Sequence, residues 1–506
     1  MIVTEAFSEL HVVSDLHLGG TAGGQIFDQG AQLAGLIELL AARPATGNEP
    51  LALVLNGDVV DFLAGDEARY FDPDHAVAKL DEIIAQPAFE PVFVALRAFL
   101  GKPFHRLVIA IGNHDIELSL APVRYRLLQH LCRSPDDDRP IDAVDGLDEA
   151  RRGRIDFALD GAGWAASVGR ARVLVVHGNE VDDWNIVDHD TLRKVSGAML
   201  AEAEYPKWSG NAGSRLVIDI MNAVKKRYPV VDLLKPEGRA LVAVLAALDP
   251  SQLARLRSIG PTLLRYVGTR AGQALGFLGA DAPAAAQTDE AALRYLLGNP
   301  QPAAGRAARD LLGQAERQLA SGATPLAVAE ATALAGERLG TGGLIADLFR
   351  DRPPQENLRE ALAKWLDWDQ SFLPSTPDDT YERLDREIGP GVDFVIAGHT
   401  HLERALRRHN GAGVYFNSGT WARLIQLRRD MLQDPSAFEG VYRAFKAGTL
   451  SDLDTLPGLV LRRPTVVSVW KEGTRTLGEL RHVAWDGKSA RLEPVPESRL
   501  EPGGRA

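Results

Sequence analysis

Short apolar runs separated by helical spacing dominate the first third of the chain. The runs are Leu10–Val13, Leu51–Leu55, Leu107–Ile111 and Val173–Val176. Apolar residues at consecutive positions read as strands covered on both faces, as in an α/β sheet. A further run at Val392–Ala397 is followed by Val414–Phe416, Thr465–Trp470 and a strand-like piece at His482–Trp485. The strand pattern therefore stops near residue 185 and resumes near 392.

The intervening stretch has a different period. Val217, Ile220, Met221, Val224 and Tyr228 share one helix face that ends at Pro229. Leu253, Leu256, Ile259, Leu263, Leu264 and Val267 continue helical spacing, with a kink or restart expected at Pro261. Residues 281–340 are alanine-rich, and Leu358, Leu362, Trp365, Leu366 and Phe372 mark another amphipathic helix before Pro374. The organisation expected is an α/β core in residues 1–185, a mostly helical, lid-like insertion in 186–391, the rest of the core in 392–486, and a loose polar tail in 487–506.

Chemistry-bearing residues gather at the ends of the expected strands, where open α/β sheets carry their sites. They are Asp15-Leu16-His17, Gly57-Asp58-Val59-Val60-Asp61, Gly112-Asn113-His114-Asp115, His177-Gly178-Asn179 and Gly398-His399-Thr400-His401. Asp-x-His alone carries no information in a chain this long. Five such clusters, each directly after a strand, form a strong joint signal. The competing reading of Asp15, His17, Asp58, Asn113, His177, His399 and His401 is strand-end capping and turn hydrogen bonding, and as a set it is the weaker one.

Composition narrows the chemistry. The 506 residues include one cysteine, Cys132, so an intramolecular disulfide or thiolate cage is excluded and a metal site must use His, Asp, Asn or Glu. Lys and Arg total 56 against 68 for Asp and Glu, a net charge of −12, which argues against long nucleic acid as a partner. The N-terminus lacks a basic and apolar leader and no stretch is long enough to span a bilayer, so a cytoplasmic location is expected, with peripheral membrane contact left open. Asp, His and Asn are donors that a pair of borderline divalent cations accepts.

The five clusters resemble the signature of the calcineurin-like metallophosphoesterase superfamily. The resemblance covers roughly residues 1–185 and 392–485. It implies a two-sheet α/β sandwich flanked by helices and a site with two divalent metal ions, Mn²⁺ first, with Fe or Zn as alternatives. Asp15, His17, Asp58 and His401 are then the implied ligands of one ion. Asp58, as a bridge, with Asn113, His177 and His399 are those of the other. His114 is the implied non-ligand histidine that assists the leaving group, and Asp115 its orienting partner. The implied reaction is hydrolysis of a phosphoester, phosphodiester or pyrophosphate bond by a metal-bridging hydroxide.

Asp15-Leu16-His17-Leu18-Gly19, Gly57–Phe62 and His177-Gly178-Asn179-Glu180 also resemble the branch of UDP-2,3-diacylglucosamine pyrophosphatases, which usually carry Arg at the position of His114. The insertion leaves the core just after His177 and returns just before His399, so it is expected to shape substrate access. Trp184, Lys207, Asn211 and Arg215 in its opening stretch are candidate contacts for a small-molecule or lipid-linked phosphorylated substrate. Asp61 reads as a turn residue or as one that supports a ligand from behind, and Asp182-Asp183 as a solvated acidic turn in preference to additional cation ligands. The alternatives are a nuclease or cyclic-nucleotide phosphodiesterase on the same core and, in another class, a non-catalytic scaffold.

Overall fold

The computed structural model describes residues 5–205 apart from short gaps, then 208, 227–234 without 229, 248, 353–366 and 371–503. The helices expected at 217–228 and 253–267 and the alanine-rich 281–340 segment lie largely or wholly outside the described residues.

The chain divides into two units, one formed by residues 1–218, 371–423 and 462–506, the other by 219–370 and 424–461. Residues 371–391 therefore group with the first unit and 424–461 with the second.

The first unit is built on two sheets. One contains β2 (Glu9–Val13), β3 (Leu51–Asn56), β4 (His105–Ala110), β5 (Ile155–Ala158), β13 (Thr465–Glu472), β14 (Arg475–Trp485) and β15 (Ala490–Pro494). Its order is β15-β14-β13-β2-β3-β4-β5, parallel from β2 to β5 and antiparallel beyond. The other contains β1 (Ala6–Phe7), β6 (Trp164–Val168), β7 (Ala171–Val175), β8 (Phe394–Ala397), β9 (Arg404–Arg407) and β10 (Val414–Asn417), in the order β1-β6-β7-β8-β10-β9.

Strand alternation explains why the apolar runs are continuous. Leu51, Leu53 and Leu55 face the helices Gly30–Ala41 and Glu90–Leu100, while Ala52 and Val54 face the second sheet. Between the sheets, Leu10, Val12, Val108, Val467 and Leu480 meet Val173, Val175, Phe394, Ile396 and Phe416. The outer face of the second sheet is covered by Tyr381 and Leu384 of the helix Asp379–Glu387. This is the α/β two-sheet sandwich flanked by helices. Residues 490–494, within the stretch read as tail, add β15 to the edge through register pairs from Arg481–Pro494 to Trp485–Ala490.

In the second unit the helix Pro354–Leu366 realises the amphipathic spacing around Leu358 and Leu362, both fully buried. Arg359 Nη1 donates to the Leu432 carbonyl at 2.9 Å, and β11 (Leu424–Ile425) pairs with β12 (Val460–Leu461). No helix among the described residues is long and apolar enough to cross a membrane.

Candidate metal centre

All five clusters lie where a strand gives way to a turn. β2 ends at Val13 before Asp15, β3 at Asn56 before Asp58, and β4 at Ala110 before Asn113. β7 ends at Val175 before His177, and β8 at Ala397 before His399. Asp15, His17, Asp58, His399 and His401 all hold left-handed backbone, with φ of 53°, 50°, 51°, 68° and 61°. Non-glycine residues seldom adopt that conformation, and its concentration here is the kind of strain that functional sites retain. Backbone hydrogen bonds tie the turns together: Asp15 N–H donates to Gly57 O, His17 N–H to Asp58 O, and Asp61 N–H to Leu18 O.

Space explains the glycines. A Cβ on Gly112 would lie 2.2 Å from Asp58 Oδ1 and 2.7 Å from His177 Nε2. A Cβ on Gly57, whose φ is +78°, would lie 2.3 Å from His177 Nδ1. Both turns must pass directly beneath the donor atoms, and only glycine lets them.

The turns converge their side chains into three overlapping groups: Asp15 with His17 and His401, His17 with Asp58 and His114, and Asp58 with His177 and His399. Within each group the donor atoms lie within 4.8 Å of one another. Asp58 belongs to two of the three groups, and His17 links the first group to the second. His17 Nε2 and His401 Nε2 face each other at 3.1 Å, and His401 Nε2 is 3.4 Å from Asp15 Oδ1. His177 Nδ1 donates to the Asn56 carbonyl at 2.7 Å, which leaves Nε2 facing Asp58 Oδ2 at 3.4 Å without hydrogen-bond geometry. Asn113 Oδ1 is likewise buried with no hydrogen-bond partner. Buried polar atoms are rarely left this way, and an unpaired His177 nitrogen facing Asp58 fits a cation, as does the donor type of the unpaired Asn113 oxygen.

Electrostatics point the same way. Burial would raise the Asp15 carboxyl, but the hydrogen bond and charge of His401, with the charge of His177, hold it down at about 2. Burial also opposes ionisation of Asp58, yet His177, His114 and His17 hold it well below the usual carboxylate range. Conversely, burial would lower His177, and the facing Asp58 raises it to about 10. A proton on His177 therefore offsets the Asp58 charge, and a cation bound there would compete with that proton.

Asp61 does more than its turn. Its Oδ1 accepts the N–H groups of Leu63 and Ala64, as an acidic turn residue should. The same carboxylate also reaches His114 Nδ1 and His17 Nδ1, each at 3.1 Å. The His114 ring is thus held by Asp61. Asp115, the partner expected from the resemblance, accepts Gly112 N–H at 2.6 Å and Val59 N–H at 2.8 Å, so it supports His114 through the backbone that carries it. Burial, then the charge of Asp58, pushes Asp115 up to about 7 against those two hydrogen bonds.

Glu180, the end of the His177-Gly178-Asn179-Glu180 run, accepts the N–H groups of His177 and Gly178 and so caps its own turn. Asp182, read from sequence as solvated, lies 2.8 Å from His399 Nε2. Trp184, Lys207, Asn211 and Arg215 lie outside the described residues. Arg126 pairs with Asp81 and Asp142.

No curated protein matches the chain. The calcineurin-like phosphoesterase family model matches residues 9–231, a span that holds the first four clusters, and the fold brings His399 and His401 to them from beyond it. Residues 9–231 are thus similar to the calcineurin-like phosphoesterase family.

Proposed function

We propose that the protein is a hydrolase of phosphoric ester or pyrophosphate bonds that works with two divalent cations on a small-molecule or lipid-linked substrate. The observation that carries this reading is the convergence of Asp15, His17 and His401 and of Asp58, His177 and His399, linked through the His17–Asp58–His114 group, together with the buried, unpartnered Asn113 Oδ1. Asp15, His17, Asp58 and His401 would hold one cation and Asp58, Asn113, His177 and His399 the other. Mn²⁺ is the first choice for such a donor set, which also accepts Fe or Zn. When bound, such a pair supplies Lewis acidity to phosphoryl oxygens and lowers the pKa of water for in-line attack.

The protein's own groups do the rest. His114 gives a proton to the departing oxygen and, while protonated, stabilises negative charge on phosphorus. Asp61 accepts from His114 Nδ1 at 3.1 Å, which fixes the ring and leaves Nε2 for proton transfer. Asp115 holds the turns of Gly112 and Val59 in place beneath it. The proposal includes a cytoplasmic setting, in keeping with the single buried thiol of Cys132.

A Mn²⁺-supplemented panel of nitrophenyl phosphate, bis-nitrophenyl phosphate, cyclic nucleotides and UDP-diacylglucosamine tests this reading. Turnover of at least one ester or pyrophosphate is expected, and preference for cyclic nucleotides would redirect the substrate class. Full metal loading without turnover of any phosphoester would instead support the scaffold reading.

A further inference from the structure

We infer that Asp182 is a positioning residue for His399: it holds the ring by Nε2 and so leaves Nδ1 as the nitrogen available to a cation. This rests on the two-cation reading of the site. His399 Nε2 meets Asp182 Oδ2 at 2.8 Å, across a separation of 217 residues in the chain. A carboxylate only accepts, so Nε2 carries the hydrogen and the lone pair of the neutral ring sits on Nδ1.

Two other histidines of the site are held in the same manner. Asp61 takes one ring nitrogen of His17, and the Asn56 carbonyl takes one ring nitrogen of His177. A metal-binding histidine whose second nitrogen donates to a carboxylate or carbonyl has its ring orientation fixed and its basicity raised. Asp182 completes that arrangement for His399.

The Asp182 carboxylate is built in rather than a loose surface group. Its side chain is 17 % exposed and that of His399 is 11 % exposed. Asn185 Nδ2 also donates to Asp182 Oδ2 at 2.7 Å, and the N–H groups of Asn185 and Ile186 donate to the Asp182 carbonyl. One residue upstream, the Val181 carbonyl accepts Arg383 Nη1 at 2.7 Å. The turn is pinned on both sides of Asp182, so the pair has little side-chain freedom to lose, unlike an exposed ion pair.

Calorimetric titration of the metal-free full chain with Mn²⁺ tests the inference, using Asp182→Ala, Asp182→Asn, His399→Ala and the double variant, with Asp190→Ala as an exposed control. Asp182→Ala is expected to weaken one of two binding events about 10–100-fold and spare the other. Asp182→Asn keeps an acceptor oxygen and should recover part of that loss. In the His399→Ala background, Asp182→Ala should change nothing further. Wild-type-like titration of Asp182→Ala, or an equal loss in the His399→Ala background, would overturn the inference while leaving the two-cation reading intact. Absence of Mn²⁺ binding by the wild-type chain would overturn that reading itself.

Discussion

Gly112→Ala adds one methyl group, and the site has no room for it. The new Cβ would lie 2.2 Å from Asp58 Oδ1, 2.7 Å from His177 Nε2 and 2.8 Å from Asp58 Cγ, against ordinary contacts that begin at 3.4 Å. The shortfall exceeds 1 Å toward a carboxylate shared by two of the donor groups. Neither neighbour can swing away cheaply, because Asp58 Oδ1 also accepts His114 N–H at 2.8 Å and the His177 ring is tied to the Asn56 carbonyl. Overpacking of this kind costs roughly 1–3 kcal/mol of stability. Displacement of catalytic groups by about 1 Å costs on the order of 100-fold in rate. Elemental analysis of Mn²⁺-supplemented protein, a urea midpoint and kcat on the best phosphoester should therefore all fall together. A folded Gly112→Ala protein with wild-type metal content and wild-type kcat would refute the reasoning that this turn is shaped around the donors.

His114→Ala should lower kcat about 10²–10⁴-fold, the range for loss of a general acid, while elemental analysis finds metal content largely unchanged. Asp58→Asn and His399→Ala should each lose metal by the same measurement, because each removes a donor from the Asp58–His177–His399 group. Glu117 supplies a pH test of stability. Burial pushes its carboxyl up to about 8, and Lys79 only partly offsets this. With the folded value above the ordinary 4.5, the folded chain binds the proton more tightly, so the stabilisation is complete below pH 4.5 and is lost as pH rises through about 8. Glu117→Gln should flatten that loss by roughly 3–5 kcal/mol in urea melts of metal-free protein at pH 5 and pH 9, and parallel profiles would contradict it.

What could be read in the chain follows from what is local. Each of the five clusters follows a short apolar run by one or two residues, so strand and ligand were legible together. The sandwich core was legible too, because β3 and β4 are apolar on both faces and each such face needs cover. What escaped depends on register between distant segments. Asp61 aligns His17 and His114 only because the turn after β3 lies between those after β2 and β4. Asp182 follows a strand of one sheet half and meets a histidine 217 residues later, while its local surroundings read only as an acidic turn. β15 was hidden in a polar edge segment, where backbone pairing with β14 rather than apolar pattern defines the strand.

Elemental analysis of the intact protein, purified at neutral pH and equilibrated with Mn²⁺ before removal of free metal, tests whether the converging side chains hold two cations. Two metal ions per chain are expected in the wild type, with a fall when Asp58 is replaced by Asn. A stoichiometry near zero in the folded wild-type protein would contradict it.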